Sequence, residues 1–481
     1  MIFPKSEKEP NPKRNNPRES LTLCLANDRL KTMTRTRINP WRREGDGMFP
    51  ITYRMDEHHH IFIGGMSVRD LAECYGTPLY VLDYATMLGR IRQFQGALDE
   101  MMPPGHAFYA GKAFLCTAMA GFLNDQGWGL DVVSGGELYT ALQAGFDMTK
   151  IVFHGNVKTQ EEIEAALRYG VGYVVADSLD ELVLLNETAR RLDKEAPVLL
   201  RLTPGIEAHT HAFIQTGQFD SKFGFAMKDG IHEEAVDAAL SYSHIKLKGF
   251  HAHIGSQIFD EDPFVHNAER LMSFFGTLWE KRGFWPEVLD IGGGFGVQYT
   301  PLDDPPDVTR VLMRVNRTVQ AMTPRACQVP LVFIEPGRAI VAEAGVTIYR
   351  VHATKTVPGG KHYVAVDGGM GDNIRPALYQ AAYSAQVDGK PPEEMIRYTI
   401  AGRYCESGDI LIRDVSLSPV EVGDYLVVFG TGAYNYAMSS NYNRVPRPAV
   451  VVVSQGRSTP WVKRETYQDL LTQDLPWKGL E

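Results

Sequence analysis

The feature that most constrains the fold is a repeated alternation of short apolar runs with helical patterns, which begins near residue 77. Eight β-branched or apolar runs follow one another, at residues 106–110, 129–133, 151–155, 173–177, 198–203, 247–254, 288–292 and 331–336. Between them, segments such as 159–169 and 263–282 carry apolar residues at three- and four-residue spacing, as amphipathic helices do. Strands that alternate with helices indicate a parallel sheet, and eight units in about 260 residues predict a closed (β/α)8 barrel.

After residue 339 the pattern changes to strands that mostly lack helices between them. The predicted strands are 346–351, 362–366, 395–400, 425–429 and 449–453, and the stretch 60–64 near the start is predicted to join them. The sequence therefore predicts an α/β fold in which the barrel is inserted into a second, mostly β domain. The predicted boundaries are 1–47 for a disordered extension, 48–80 for the first part of the β domain, 81–340 for the barrel and 341–481 for the C-terminal β domain.

Residues 1–47 differ in composition from the rest of the chain. They are basic and rich in Asn, Pro and Thr, which is typical of a disordered extension. They lack the continuous apolar stretch of a secretion signal. Two alternatives stay open, a transit peptide and an upstream misassigned start with Met48 or Met55 as the natural first residue.

The net charge and the cysteines of the chain indicate which binding partners and which cellular compartment are expected. The formal net charge of −9 argues against nucleic acid or an anionic membrane as the main partner and leaves a small molecule. The five cysteines are scattered without a CxxC pair, so neither a disulfide framework nor a zinc site is indicated, and a reducing compartment, the cytoplasm, is predicted. No apolar run is long enough to predict a membrane span.

Barrel enzymes place their chemistry at the C-terminal ends of the strands, so the residues there are candidates for function. Lys112 follows the first strand. Partial desolvation of its amine at the barrel mouth predicts a lowered pKa and a nucleophile toward an aldehyde. The alternative is a lysine that extends to solvent at the barrel rim.

The sixth strand ends in a segment that contains His251, His253 and Ser256. An imidazole there could stack on a flat cofactor ring, and Ser256 could donate to a phosphate. One alternative is a metal pair, because side chains two residues apart on a strand share a face. Another is a pair of core histidines. No third ligand is obvious nearby in the sequence, so no metal is predicted.

The seventh and eighth strands end in a glycine run and an acid. Glycines at 292–294 let backbone amides approach a phosphate, in the loop where this fold usually binds one. Glu335 would be buried and needs a cationic partner; a protonated pyridine nitrogen is one, and an ion pair with Arg338 or Arg201 is the alternative. Lysine, stacking group, phosphate loop and acid together predict a pyridoxal phosphate site.

Several motifs match one known family. They are Tyr-Ala-x-Lys at 109–112, Ala-His-Thr-His at 208–211, Ser-Lys-Phe-Gly at 221–224, His-Ile-Gly-Ser-Gln at 253–257, Glu-Pro-Gly-Arg at 335–338, Asn-Ile-Arg-Pro-x-Leu-Tyr at 373–379 and Cys-Glu-Ser-Gly-Asp at 405–409. On these residues the chain resembles, over about 55–470, the alanine-racemase-like (fold-type III) pyridoxal-phosphate-dependent decarboxylases, and within them the branch that acts on diaminopimelate. It departs from the pattern at Phe114, where Asn is common, and at Phe295-Gly296, where Leu is more usual.

The resemblance implies decarboxylation of meso-2,6-diaminopimelate to L-lysine and CO2. It implies that Lys112 holds the cofactor as a Schiff base and that Cys405 returns a proton to the α-carbon; the alternative for Cys405 is a buried structural thiol. The implied cofactor contacts are Lys112, His253, Ser256, Gly292, Gly293, Gly294, Glu335, Pro336, Gly337, Arg338 and Tyr434. The implied substrate contacts are Arg338, Arg375, Tyr379, Glu406 and Tyr434. Asp131 and Arg201 are placed near the cofactor. Cys405 and Glu406 would reach a partner barrel, which implies a homodimer with shared sites.

Other functions on the same scaffold stay open. A related decarboxylase could act on ornithine, arginine or carboxynorspermidine, but ornithine-type relatives usually carry Asp in place of Glu406. An alanine racemase would place arginine at the ring nitrogen, where this chain has Glu335. A catalytically inactive regulatory protein would tend to lose the lysine or the acid, and both are present.

Overall fold

The computed structural model describes residues 24–25, 48–206, 221–392 and 394–478. The motif at 208–211 lies outside the described residues. So does the predicted disordered extension, except for Cys24–Leu25. These two residues pair antiparallel with Arg457 and Ser458.

The predicted barrel is confirmed. Eight parallel strands close into a ring, because the fourth strand pairs with the fifth and the eighth pairs with the first. In chain order the barrel strands are His106–Ala110, Gly129–Val132, Ile151–Phe153, Tyr173–Ala176, Ala196–Thr203, Ile245–His251, Val288–Asp290 and Leu331–Ile334. The third, sixth, seventh and eighth strands end two or three residues earlier than predicted. There the chain leaves the sheet, and the glycine-rich segments form loops at the barrel mouth.

Nine helices surround the barrel in the described part of the chain, and five of them begin at a residue whose side chain caps the helix. The helices are Tyr84–Asp99, Thr117–Asp125, Gly135–Gln143, Gln160–Tyr169, Leu179–Arg191, Ile231–Ser241, Asp262–Arg282, Val308–Met322 and Arg338–Val341. The helices predicted at 159–169 and 263–282 are confirmed within one residue. Thr159 begins one of them with a capping box, in which its hydroxyl accepts from the Glu162 amide while the Glu162 side chain accepts from the Thr159 amide.

The barrel interior has two layers of different chemistry. The lower layer is apolar and consists of Phe108, Val152, Val175, Leu199, Val288 and Phe333. Side chains alternate along a strand, so the residue two positions later again faces the interior. In five of these strands that next residue is polar and buried: His154, Asp177, Arg201, Asp290 and Glu335. The barrel interior is therefore apolar in its lower layer and polar in the layer next to the C-terminal ends of the strands.

A ten-stranded sheet forms the second domain and contains all five strands predicted after residue 339. Its strands are Cys24–Leu25, Leu79–Asp83, Gly345–Thr356, His362–Val366, Ala385–Val387, Ile396–Ala401, Ile410–Leu417, Tyr425–Phe429, Ala449–Ser454 and Arg457–Val462. The strand Leu79–Asp83 pairs with Gly345–Thr356 and with Ala449–Ser454. The predicted boundary at 80/81 therefore falls inside a strand of this sheet. The strand is buried on both faces, so its sequence has no alternation to distinguish it from the barrel runs.

The stretch predicted at 60–64 does not join the large sheet. Its strand Ile61–Ile63 pairs with Arg54–Met55 and Met66–Ser67 in a separate three-stranded sheet. It belongs to the β domain through side-chain packing, because Ile61 and Ile63 share a core cluster with Val346 and Val451. None of the described helices combines the length and the apolar character needed to cross a membrane.

Candidate active site

A cavity of about 430 Å³ lies at the C-terminal mouth of the barrel, where the β domain covers it. Loops that follow the barrel strands line one part, and the segments 375–382 and 434–438 line the other. Twelve of the predicted site residues line this cavity: Lys112, His253, Ser256, Gly293, Gly294, Glu335, Pro336, Gly337, Arg338, Arg375, Tyr379 and Tyr434. Gly292, Cys405 and Glu406 do not line it.

Lys112 lies in the short 3₁₀ turn Gly111–Ala113 and lines the cavity. The amide of Tyr434 donates to the carbonyl of Ala113 at 2.8 Å, which joins this turn to the β domain. Burial lowers the pKa of the Lys112 amine, but Asp131, Tyr434 and Glu335 together raise it above its ordinary value. The predicted lowered pKa is therefore wrong for the chain alone, because these three side chains outweigh the effect of burial.

Glu335 is buried at the cavity floor, and its two oxygens contact two histidines. His154 Nε2 pairs with Oε1, and His251 Nε2 lies 3.2 Å from Oε2. Burial raises the pKa of Glu335 to about 7, while Lys112 and Arg201 act in the opposite direction. Among the described residues no arginine forms an ion pair with Glu335, so the alternative pairing with Arg338 or Arg201 is wrong.

The two histidines beneath the cavity form a buried cluster with Glu335 and Asp290. The rings of His154 and His251 are 4.6 Å apart, and burial lowers the pKa of both, so they are neutral at physiological pH. The ligand atoms of the four residues lie within 4.8 Å of one another, a spacing that also suits a metal ion. Hydrogen bonds from both histidines already engage Glu335, and Lys112 and Arg201 lie close enough to lower its pKa.

His251 and His253 do not form the pair that their spacing suggested. His251 faces the barrel interior, whereas His253 lines the cavity and its Nδ1 accepts from the amide of Gly293 at 3.3 Å. The sheet ends at His251, so strand alternation does not extend to the second histidine. Burial lowers the pKa of His253 well below its ordinary value, so its ring is neutral.

Gly293 and Gly294, in the glycine run after the seventh strand, line the cavity with backbone atoms alone. A Cβ on Gly293 would lie 2.2 Å from the Glu335 carbonyl oxygen, and one on Gly294 would lie 2.5 Å from the Gly255 carbonyl oxygen. Gly294 also has a φ of +100°, which disfavours any other residue. Gly292 lies behind this wall, where its carbonyl accepts from the Glu335 amide at 2.9 Å. Only glycine fits these positions, so the backbone itself forms this wall; the amides of Gly292 and Gly293 donate to Asp290 and His253.

Two arginines lie side by side in the lining of the cavity. Arg338 Nη1 donates to the Tyr299 hydroxyl at 2.8 Å, and Arg375 Nη1 donates to the same oxygen at 3.3 Å. Arg338 also donates to Ser256 at 2.9 Å, while its buried Nε has no hydrogen-bond partner. Neither arginine forms an ion pair with an acid in the part of the chain that the structure describes. Two buried cations without an acid define an anion site.

Cys405 and Glu406 lie in an exposed loop between the strands Ile396–Ala401 and Ile410–Leu417. The Cys405 amide donates to Asn443 Oδ1 at 2.9 Å, and its thiol is free. The alternative of a buried structural thiol is therefore wrong in the single chain. Both residues are exposed to solvent and do not line the chain's own cavity.

Sequence reasoning missed three residues that contribute to the site: His154, Asp290 and Tyr299. The first two had a usable signal, since each comes two residues after an inward apolar residue on its strand. Tyr299 lies in a loop, where no periodicity applies, and only its contacts with two arginines identify it.

The residues present fit pyridoxal phosphate. The cavity offers an amine at Lys112, a buried carboxylate at Glu335 and a wall formed by the backbone of Gly293 and Gly294. The unpartnered Nε of Arg338 supplies an unused donor for an anion. The volume of the cavity, about 430 Å³, lies in the range of small-molecule binding sites.

Comparisons with known proteins agree with this geometry. Residues 88–342, which span all eight barrel strands, match the family model described as pyridoxal-dependent decarboxylase, pyridoxal binding domain. The chain is 47% identical over 429 residues to diaminopimelate decarboxylase of Bacillus subtilis (strain 168), covering 89% of this chain and 98% of that protein. It is 46% identical over 418 residues to the enzyme of the same name from Bacillus methanolicus, covering 86% and 96%. The crystal structure of diaminopimelate decarboxylase from M. jannaschii in complex with L-lysine aligns with a TM-score of 0.83 at 35% identity, covering 89% and 98% of the two chains.

Proposed function

Because the chain belongs to the diaminopimelate decarboxylase family of pyridoxal-dependent decarboxylases, we propose that it converts meso-2,6-diaminopimelate to L-lysine and CO2. One observation supports this substrate above others. The cavity is lined by Lys112 and Glu335 and also by Arg338 and Arg375, neither of which forms an ion pair with an acid in the described part of the chain. A substrate with an amino-acid group at each end can use both.

Lys112, Glu335 and their neighbours suit the cofactor. Pyridoxal phosphate, when bound, supplies an electron sink for the charge left on the α-carbon as CO2 departs. Lys112 would provide the amine that attaches it, and the neutral ring of His253 would pack on its face. Glu335 would pair with the ring nitrogen. The backbone of Gly293 and Gly294 and the hydroxyl of Ser256 would hold the phosphate.

The two arginines suit the distal carboxylate of the substrate. Arg338 and Arg375 present guanidinium groups, which bind a carboxylate through paired hydrogen bonds. Tyr379 and Tyr434 close this part of the cavity. Tyr434 is held at a φ of +62°, a conformation rare for a residue with a side chain and often found where structure serves function.

The proton that replaces the carboxyl group comes from Cys405 of a second copy. Cys405 and Glu406 are exposed and do not line their own cavity, so a homodimer with shared sites would bring them to the partner's cavity. The thiol donates its proton to the α-carbon as the carbon–carboxyl bond breaks. Glu406 binds the distal ammonium of the same substrate.

Shared sites predict complementation between two inactive variants. Lys112→Ala and Cys405→Ala homodimers should each be inactive, whereas a random mixture should regain about a quarter of the wild-type rate, because half of the dimers are mixed and each has one intact site. The measurement is decarboxylation after the two variants are unfolded together and refolded. Refolding each variant alone is the control. Activity that stays at the level of the separate variants would show that each chain uses its own Cys405.

Product analysis tests the substrate directly. The purified protein with pyridoxal phosphate should release lysine and CO2 in equal amounts from meso-2,6-diaminopimelate. Ornithine and arginine, which lack the distal carboxylate, should react at least about a hundredfold more slowly, because they leave two buried guanidiniums unpaired. Release of CO2 from ornithine but not from diaminopimelate would refute the assignment.

The cytoplasm is the compartment we assign to this reaction. The thiols of Cys74, Cys116, Cys327 and Cys405 are free, as in proteins of a reducing environment. The proposed substrate is also a free amino acid, which fits a reaction in the cytoplasm.

A further inference from the structure

Tyr299 lies in the loop after the seventh barrel strand and connects the two arginines of the cavity. Its hydroxyl oxygen accepts a hydrogen bond from Arg338 at 2.8 Å and one from Arg375 at 3.3 Å. Both guanidinium carbon atoms also lie over its ring, at 5.8 Å and 5.0 Å from the ring centre. One side chain therefore sets the separation of two like charges.

The hydroxyl of Tyr299 has a proton that these bonds do not use. Arginine has no acceptor, so both bonds consume lone pairs of the oxygen. Within the described part of the chain no residue accepts the Tyr299 proton, and Tyr299 lines the cavity. The O–H is therefore available to a ligand beside the arginines.

The neighbouring Tyr383 shows the contrast. Its hydroxyl also contacts Arg375 Nη1, but it donates its own proton to Asn435 Oδ1 at 3.4 Å. Burial raises the pKa of Tyr383. Burial also acts to raise the pKa of Tyr299, but Arg338 and Arg375 together lower it below its ordinary value. Tyr383 therefore supports Arg375 with both of its hydrogen bonds made inside the protein, whereas the O–H of Tyr299 can donate to a ligand in the cavity.

We propose that Tyr299 is a specificity-determining residue that spaces Arg338 and Arg375 and donates its own O–H to the substrate carboxylate that they bind. This inference rests on the proposed function, since it assigns a third donor to the distal carboxylate of that substrate. Three converging donors would reject substrates that lack this carboxylate.

The test is Tyr299→Phe, which keeps the ring and removes the hydroxyl. In the holoenzyme this change should raise the KM for diaminopimelate by about 10- to 100-fold, the range of a hydrogen bond to a charged group, and leave kcat within about threefold. The dissociation constant of pimelate, a dicarboxylate without amines, should rise by a similar factor. Tyr173→Phe is the matched control, because Tyr173 begins the fourth strand at the opposite end of the barrel.

A second measurement needs no variant. Pimelate affinity of the wild type should fall as the pH rises through the lowered pKa of Tyr299, because the deprotonated oxygen loses its donor and gains a charge that repels the carboxylate. The other ionisable groups nearby are Arg338, Arg375, Asp303, Tyr379, Tyr383 and Tyr434; Arg375 stays charged, because its pKa is raised, and Tyr383 titrates later than an ordinary tyrosine. The fall should be absent in Tyr299→Phe.

The two hypotheses fail in different ways. If the wild type releases no lysine from diaminopimelate, the proposed function is wrong, and pimelate binding still tests the donor. If the wild type makes lysine while Tyr299→Phe, folded as judged by its thermal unfolding, keeps the wild-type KM and pimelate affinity, the role of Tyr299 is wrong. A flat pH dependence of pimelate affinity in the wild type would also overturn it.

Discussion

Replacement of Lys112 by alanine is expected to reduce decarboxylation by about 10⁴-fold or more, which is the scale of removing a group that forms a covalent bond. Lys112 is the only lysine among the cavity-lining residues that the structure describes. Its turn is fixed between the first barrel strand and Tyr434, so no other amine can take its place. Borohydride reduction followed by peptide mass spectrometry should find the cofactor on residue 112 in the wild type and nowhere in the variant.

The matched control is Lys158→Met. Lys158 is also buried in the barrel domain, where its Nζ donates to the carbonyls of Gly155 and Val175 and to Glu181. It does not line the cavity, so its removal should lower thermal stability and leave the cofactor attached to Lys112. Full turnover by Lys112→Ala, or trapping of the cofactor at another lysine, would contradict the mechanism.

The barrel could be predicted because its information is local and repeated. Each strand is a short apolar run, and each helix has its own period and its own cap, as at Thr159. Strand ends were overestimated at the sixth to eighth strands, where residues that serve the cavity continue the apolar composition into loops. The strand Leu79–Asp83 could not be assigned to its sheet, because its partners lie more than 250 residues away in the sequence.

The candidate site was predictable where a motif follows a strand. Lys112, His253 and Glu335 come directly after strands, and the structure brings all three to one cavity. The electrostatics could not be predicted, since the pKa of Lys112 depends on Asp131 from the next strand and on Tyr434 from the other domain. The contacts of Tyr299 depend on the same convergence of two domains.

Replacement of Glu335 by glutamine is expected to reduce kcat by about 10²- to 10³-fold with little change in KM, the pattern of an interaction made in the transition state. Glutamine keeps the size of the side chain and can still bond to His154 and His251, but it carries no charge. Burial raises the pKa of Glu335 to about 7 in the chain alone, so a cation beside it is needed to keep it ionised at neutral pH. A ring nitrogen that shares a proton with this carboxylate is such a cation, and glutamine cannot hold it. Steady-state kinetics together with the dissociation constant of the cofactor separates this effect from simple loss of binding.

Glu181→Gln provides the comparison, because Glu181 is a buried acid in the same barrel domain that pairs with Lys158 away from the cavity. Removing its charge leaves a buried lysine without its counter-ion, which should cost about 3–5 kcal/mol of folding stability. Its kcat at a temperature where it remains folded should match the wild type. If Glu335→Gln retained kcat within threefold, or if both variants lost kcat equally, the acid would act through stability alone. The charge of Glu335 at the cavity floor would then have no part in the removal of CO2.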